Sequence, residues 1–170
     1  VNAAEAARVQ AAFNASGFKA APIGIHLSAR KPSQRWSGDR FVALMRTLHE
    51  RDGTAFMLFW SPGAADHPQH PGDDAKASEV IEATRSLPVL PWPTSELPSL
   101  VAGIAGCRAM VMSDGGAMHV AAALGKPIVC LHARDASYLR RAHPEVDYSY
   151  HDYRDWRSAD LMLAVESLVQ

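Results

Sequence analysis

Apolar residues in this chain come in short blocks of two kinds. The runs at 22–28, 55–60, 88–90, 109–113 and 128–131 have strand length, and most are nearly continuous in apolar side chains. That is how strands buried on both faces read. In the first run Ile23, Ile25 and Leu27 alternate with Gly24, His26 and Ser28. Between the runs, apolar residues recur at helical spacing. Phe41, Val42, Leu44, Met45 and Leu48 predict a helix over 38–51, with Ser37 as its N-cap and Asp39 in the first turn. Ala77, Val80, Ile81 and Thr84 predict a second over 73–86, and 95–105 reads as a third, strongly apolar one. Ala117, Val120, Ala121 and Leu124 fall at i, i+3, i+4 and i+7; Gly125 and Pro127 then stop that helix.

The ends are less clear. An Ala-rich helix over 2–15, closed by Gly17, suits an interdomain connector as well as it suits the core. Residues 135–155 are polar and aromatic without a clear period. A last helix starts at Ser158, with Leu161, Leu163, Val165 and Leu168 among its apolar positions.

The sum is strictly alternating: β-α-β-α-β-α-β-α-β and a terminal helix. This predicts an α/β fold, a Rossmann-like doubly wound parallel sheet with helices on both faces and right-handed crossovers. The loops after residues 28, 60, 90, 113 and 131 should then share the carboxyl rim of the sheet, where ligands bind in such folds.

Composition narrows the function classes. The 170 residues suffice for one domain with a real core. Hydrophobic residues make up 48% and charged residues 21%, as in ordinary globular proteins. A formal net charge of −1 lacks the basic field that nucleic-acid binding needs, so no nucleic-acid partner is expected. No apolar run reaches membrane-span length. Cys107 and Cys130 sit in apolar surroundings and read as buried free thiols. His67-Pro-Gln-His70 and Cys130-Leu-His132 lack a second ligand pair at zinc-site spacing, so no metal is expected. The chain begins at Val1, which suggests a piece of something longer.

The chemistry concentrates at Ser113-Asp-Gly-Gly-Ala-Met-His119. A strand ends there, two glycines let the backbone approach a ligand, and a helix begins. The first N–H groups of a helix have no partner inside it, so this turn suits a phosphate or another anion.

These residues resemble the C-terminal domain of glycosyltransferase family 9, the bacterial lipopolysaccharide heptosyltransferases. The resemblance is carried by Ser95-Glu-Leu-Pro-Ser-Leu-Val-Ala-Gly-Ile-Ala-Gly-Cys107, by Ser113 to His119, and by Ala121-Ala-Ala-Leu-Gly-Lys-Pro127. It extends to the basic loop ending in Gln34-Arg35-Trp36-Ser37 and covers nearly the whole chain.

The resemblance implies a GT-B architecture, in which two Rossmann-like domains face each other across a cleft. Residues 1–170 would be the nucleotide-sugar (donor) domain alone. The acceptor domain, and the Asp that serves as base, would lie in an N-terminal half absent from this chain. The donor is commonly ADP-L-glycero-D-manno-heptose. The acceptor is a lipid-linked saccharide of the lipopolysaccharide core, at the inner face of the inner membrane. No metal or cofactor is required, and a cytoplasmic, peripheral location follows. The isolated domain is expected to be inactive as a transferase.

Carried onto this sequence, the donor site comprises Ser28, Gln34, Arg35, Ser95, Asp114, Gly115, Gly116, Ala117, Met118 and His119. The diphosphate would lie over Gly115-Gly116, where a helix N-terminus contributes roughly 0.3–1 kcal/mol when exposed. Asp114 would fix the turn or accept from a sugar hydroxyl. His119 would donate to phosphate or orient a neighbour. Ser28 matches a phosphate-contacting hydroxyl, and Arg35 offers a planar multi-donor fork. Two departures stand out. Gly115 replaces the hydroxyl residue usual in the family, and Gln34 replaces a lysine found in many relatives; Arg35, Arg30 or Lys31 would have to compensate. Residues 91–95 would flank the adenine, and Asp66, Asp73 and Asp74 are candidates for the ribose contact.

Two other readings use similar architecture. A nucleotide-sugar epimerase would need an acid–base pair in the cleft, and no convincing pair is found. A noncatalytic nucleotide-binding or flavodoxin-like module is the other. A receiver-type variant would show acidic residues after the first strand, where this chain has Arg30, Lys31 and Arg35.

Overall fold

The computed structural model describes residues 1–30, 34–67, 71–132 and 148–152, with 132 and 148–152 by backbone alone. Strands β1 (Ile23–His26), β2 (Phe56–Trp60), β3 (Val89–Pro93), β4 (Ala109–Ser113), β5 (Ile128–His132) and β6 (Tyr148–Asp152) alternate with helices. The helices are α1 (Ala3–Ser16), α2 (Gly38–Asp52), α3 (Asp74–Ala83), α4 (Leu97–Gly106) and α5 (Gly116–Ala123). All strand pairs are parallel, in the order β3-β2-β1-β4-β5-β6. The winding direction reverses between β1 and β4.

The two-residue period of a strand sorts the apolar runs onto two faces. Phe56, Leu58 and Trp60 of β2, with Ile23, Ile25 and Leu27, face Phe41, Leu44, Met45 and Leu48 of α2 and Ala77 and Val80 of α3. Met57 and Phe59 of β2, with Met110 and Met112 of β4, face the other way. They meet Ala102 and Ile104 of α4 and Met118, Ala121 and Ala122 of α5. The expected doubly wound architecture is therefore present, with helices on both faces.

Helix α1 belongs to the core. Val9 is buried in the second cluster, and Phe13 packs against it. The Arg8 guanidinium lies 4.3 Å from the centre of the Trp92 ring and donates to the Ser99 hydroxyl at 2.6 Å. Asn2 caps the helix, its Oδ1 accepting from the N–H groups of Ala4 and Glu5. Ser37 occupies the N-cap position of α2 but makes no such bond.

Two elements depart from the sequence reading. Strand β3 runs on to Pro93 through two prolines expected to lie in a rigid connection. It is an edge strand, and an edge tolerates residues that cannot donate to a second neighbour. Strand β6 forms the opposite edge, within the stretch that showed no period. The helix expected from Ser158 lies outside the described residues.

The α4 helix sits tightly on the sheet. A Cβ on Gly103 would approach Phe59 Cε1 to 2.6 Å and Trp92 Nε1 to 2.9 Å. Both are rings fixed in the core, unlike the flexible methionine end beside Gly24. The Gly103→Ala variant is therefore expected to lose about 1–3 kcal/mol by overpacking, read as a lowered urea midpoint at unchanged m-value.

Candidate functional site

The point where the winding reverses leaves a crevice beyond the carboxyl ends of β1 and β4. A cavity of ≈ 850 Å³ opens there. His26, Ser28, Ala29 and Arg30 line it from β1, Ser61 and Pro62 from β2, and Thr94 and Ser95 from β3. Ser113 to Ala117 and His119 close it from β4 and α5. Loops after four strands thus share one rim; the loop after β5 lies outside the described residues.

Gly115 and Gly116 are exposed in this cavity. Gly115 has a φ of 169°, extended backbone that any residue adopts, and Gly116 is not among the glycines in the left-handed region, so neither needs to be glycine for its backbone conformation. A Cβ at either position would meet no atom within 4 Å. The fold does not require bare backbone here; what the missing side chains provide is open access to the start of α5. Gly115 is the N-cap of α5 and contributes no side chain to it. The first N–H groups of α5 have no acceptor within the helix.

The turn is tied to the loop after β1. Ser113 Oγ donates to the Gln34 carbonyl at 2.7 Å, and Gln34 Nε2 donates to Asp114 Oδ2 at 3.0 Å. The carboxylate can only accept, so the amide presents its NH₂ to it and holds Asp114 in place. The Ser28 hydroxyl accepts from the Ser61 N–H at 2.9 Å, joining β1 to the β2 loop. Its own proton remains available to an acceptor in the cavity.

Two residues assigned to the donor site do not reach it with their side chains. Met118 is fully buried in the core under α5, because the third helical position turns toward the sheet. Arg35 is absent from the cavity lining; its Nε donates to the Ala29 carbonyl at 2.8 Å and so braces the loop. Ser28, Gln34, Ser95, Asp114, Gly115, Gly116, Ala117 and His119 all line the cavity. Of the three aspartates, Asp66 is exposed and Asp74 holds its own loop, accepting from Trp60 Nε1 at 2.7 Å and the Gly63 N–H at 2.9 Å. Asp73 is buried, and its Oδ2 has no hydrogen-bond partner among the described residues.

His26 was not singled out from the sequence. It lies at the end of β1, 7% exposed, with its ring stacked on Phe59 at 6.5 Å. Its Nδ1 lies 3.2 Å from the Ser28 carbonyl oxygen, which can only accept, so Nδ1 carries the proton and Nε2 is an acceptor. Burial is the main cause that lowers its pKa to about 4; the Ser28 bond and Asp73 oppose this, and Lys76 adds to it. The imidazole is therefore neutral near pH 7. Its only sequence signal was a lone polar ring at the end of an apolar strand.

Cys107 and Cys130 are free and buried, and burial pushes both thiols up to about 12. Among the described residues, no three His, Cys, Asp or Glu side chains cluster as a metal site would require. No helix among them is long and apolar enough to cross a membrane.

Comparison with known proteins decides the family. The sequence profile of glycosyltransferase family 9 (heptosyltransferase) matches residues 2–141. The chain belongs to glycosyltransferase family 9. It is 36% identical over 101 residues to lipopolysaccharide heptosyltransferase 2 of Escherichia coli K12, covering 59% of this chain and 27% of that protein. The Salmonella typhimurium enzyme of the same name matches to the same extent.

Among solved structures, Escherichia coli ADP-heptose lipopolysaccharide heptosyltransferase II superposes with a TM-score of 0.76 at 23% identity. That match covers 99% of this chain and 52% of the other. An Escherichia coli heptosyltransferase solved with ADP gives 0.69 at 14% identity, covering 87% and 44%. A Methanocaldococcus jannaschii UDP-GlcNAc 2-epimerase gives 0.66 at 14% identity, covering 96% and 42%. These structures share the fold. The chain corresponds to the C-terminal part of the GT-B heptosyltransferases and spans well under two thirds of each relative's length.

The buried histidine sets a pH dependence. Its folded pKa of about 4 lies below the ordinary 6.5, so the unfolded chain binds more protons between these values. Its contribution to stability is complete above pH 6.5 and is lost as pH falls toward 4, by an amount on the order of 3 kcal/mol. Urea midpoints measured from pH 7.5 to 4.5 should fall less steeply in His26→Gln than in the wild-type chain.

Proposed function

We propose that this chain is the donor-binding half of a family-9 glycosyltransferase, taking an ADP-sugar and delivering heptose or a related sugar to a lipopolysaccharide core acceptor. The observation that carries this reading is the pair Gly115-Gly116. Their backbone lies open to the cavity at a helix N-terminus, and neither the local conformation nor packing calls for glycine there. Such bare backbone fits close approach by a diphosphate. The heptosyltransferase relatives support ADP-heptose as the donor, since solved members carry ADP or a fluorinated ADP-heptose.

The chemistry of this half is electrostatic. During transfer the bond between the anomeric carbon and the diphosphate oxygen breaks, and negative charge grows on the leaving ADP. Amides aimed at those oxygens stabilise the transition state more than the ground state, which is what accelerates the step. The acceptor hydroxyl is deprotonated by a base in the acceptor-binding half. Asp114, held by Gln34, is suited to accept from a sugar hydroxyl, and the rim around Thr94 and Ser95 is suited to the adenine ring. Neither a metal nor a cofactor takes part in this scheme. The enzyme works at the cytoplasmic face of the inner membrane, where its lipid-linked acceptor resides.

The UDP-GlcNAc 2-epimerases share the fold but do not displace this reading, because the family-9 profile extends over residues 2–141.

Calorimetric titration with ADP tests the proposal. The wild-type chain should bind ADP more tightly than UDP. The Gly116→Val variant should keep its urea midpoint, since its side chain enters open space, yet lose ADP affinity by tenfold or more. A folded wild-type chain that ignores ADP up to millimolar concentration would overturn the assignment.

A further inference from the structure

We propose that Arg30 supplies the side-chain positive charge for the donor diphosphate in this chain. The inference rests on the ADP-sugar reading and adds the residue that balances the ligand's charge. Among the described residues, the cations near the mouth of the cavity can be accounted for one by one. Arg35 donates through Nε to the Ala29 carbonyl and does not line the cavity. Lys76 is mostly buried; its Nζ donates to the carbonyls of Leu27 at 3.0 Å and Trp36 at 2.6 Å and lies 5.2 Å from the centre of the Phe41 ring. Both therefore hold the loop after β1 in shape rather than facing the cavity. Gln34, on the same loop, is neutral and gives its amide to Asp114.

Arg30 differs from them. It lines the cavity together with Gly115 and Gly116, is exposed, and is the only Lys or Arg in the lining among the described residues. Asp114 lines the same space and brings a negative charge. Histidines apart, Arg30 and Asp114 cancel, so the described lining has no net side-chain charge to spare. A diphosphate is multiply anionic. Placed over the glycine turn, it would lie near Asp114 with backbone dipoles and neutral donors such as the Ser28 hydroxyl to offset the repulsion, but no full positive charge from a Lys or Arg among the described residues unless Arg30 reaches it. A guanidinium presents several donors in one plane and can span two phosphate oxygens.

The test is calorimetry on the 170-residue chain, with ADP, AMP and adenosine as probes at low and high salt. Losing a hydrogen bond between charged groups weakens binding by about 10- to 100-fold. The Arg30→Gln variant should therefore lose about that much ADP affinity, keep its adenosine affinity, and show a flatter salt dependence. Retained adenosine binding also shows that the variant is folded. Arg30→Lys should recover part of the loss by restoring the charge without the planar fork. The proposal falls if Arg30→Gln binds ADP within twofold of wild type. It falls equally if Lys31→Gln, and not Arg30→Gln, abolishes the preference for ADP over adenosine. If the wild-type chain binds adenosine and ADP equally, the diphosphate gains nothing from the cavity and Arg30 has no such role. If it binds neither, the ADP-sugar reading fails first.

Discussion

The crevice exists because the chain changes winding direction between two adjacent parallel strands. Connections leave β1 toward one face of the sheet and β4 toward the other, so no connection covers the carboxyl ends where the two lie side by side. Everything assigned to ligand binding depends on that gap. Ser28 and Arg30 follow β1; Ser113 to Gly116 follow β4. The bonds from Ser113 to Gln34 and from Gln34 to Asp114 then set how the two loops face each other.

Around this gap, polar groups divide their work. Arg35 and Lys76 are attached to carbonyls, and their charge shapes the loop rather than the ligand. His26 is held in one tautomer by a carbonyl and kept neutral by burial. Among the described residues, the groups left to meet a ligand are hydroxyls, backbone amides, one histidine, one carboxylate and one guanidinium. That is a site built to hold and polarise.

Much of this was legible in the sequence, for physical reasons. Continuous apolar runs such as 56–60 and 109–113 mark strands covered on both faces, and their alternation with helical periods dictates a doubly wound sheet. The glycine pair stood out because it interrupts a strand-to-helix junction. What escaped notice depends on three-dimensional neighbours. Strand β6 pairs through its backbone at an edge, which leaves little apolar pattern to read. Strand β3 contains prolines that count against a strand until its edge position is known. Met118 and Arg35 occupy the right stretch of sequence, yet helix phase turns one inward and a local carbonyl captures the other. The role of His26 follows from a ring and a carbonyl meeting at a strand end, a geometry that its position in the chain does not encode.

The two buried thiols have a practical consequence. Cys107 and Cys130 come from opposite ends of the β4–β5 region, and both are enclosed in the cluster beneath α4 and α5. With pKa values near 12 they hold almost no thiolate at neutral pH, and alkylating reagents need both thiolate and access. Covalent labelling of this chain is thus gated by excursions that lift those helices off the sheet. The labelling rate becomes a clock for how often that side of the core opens.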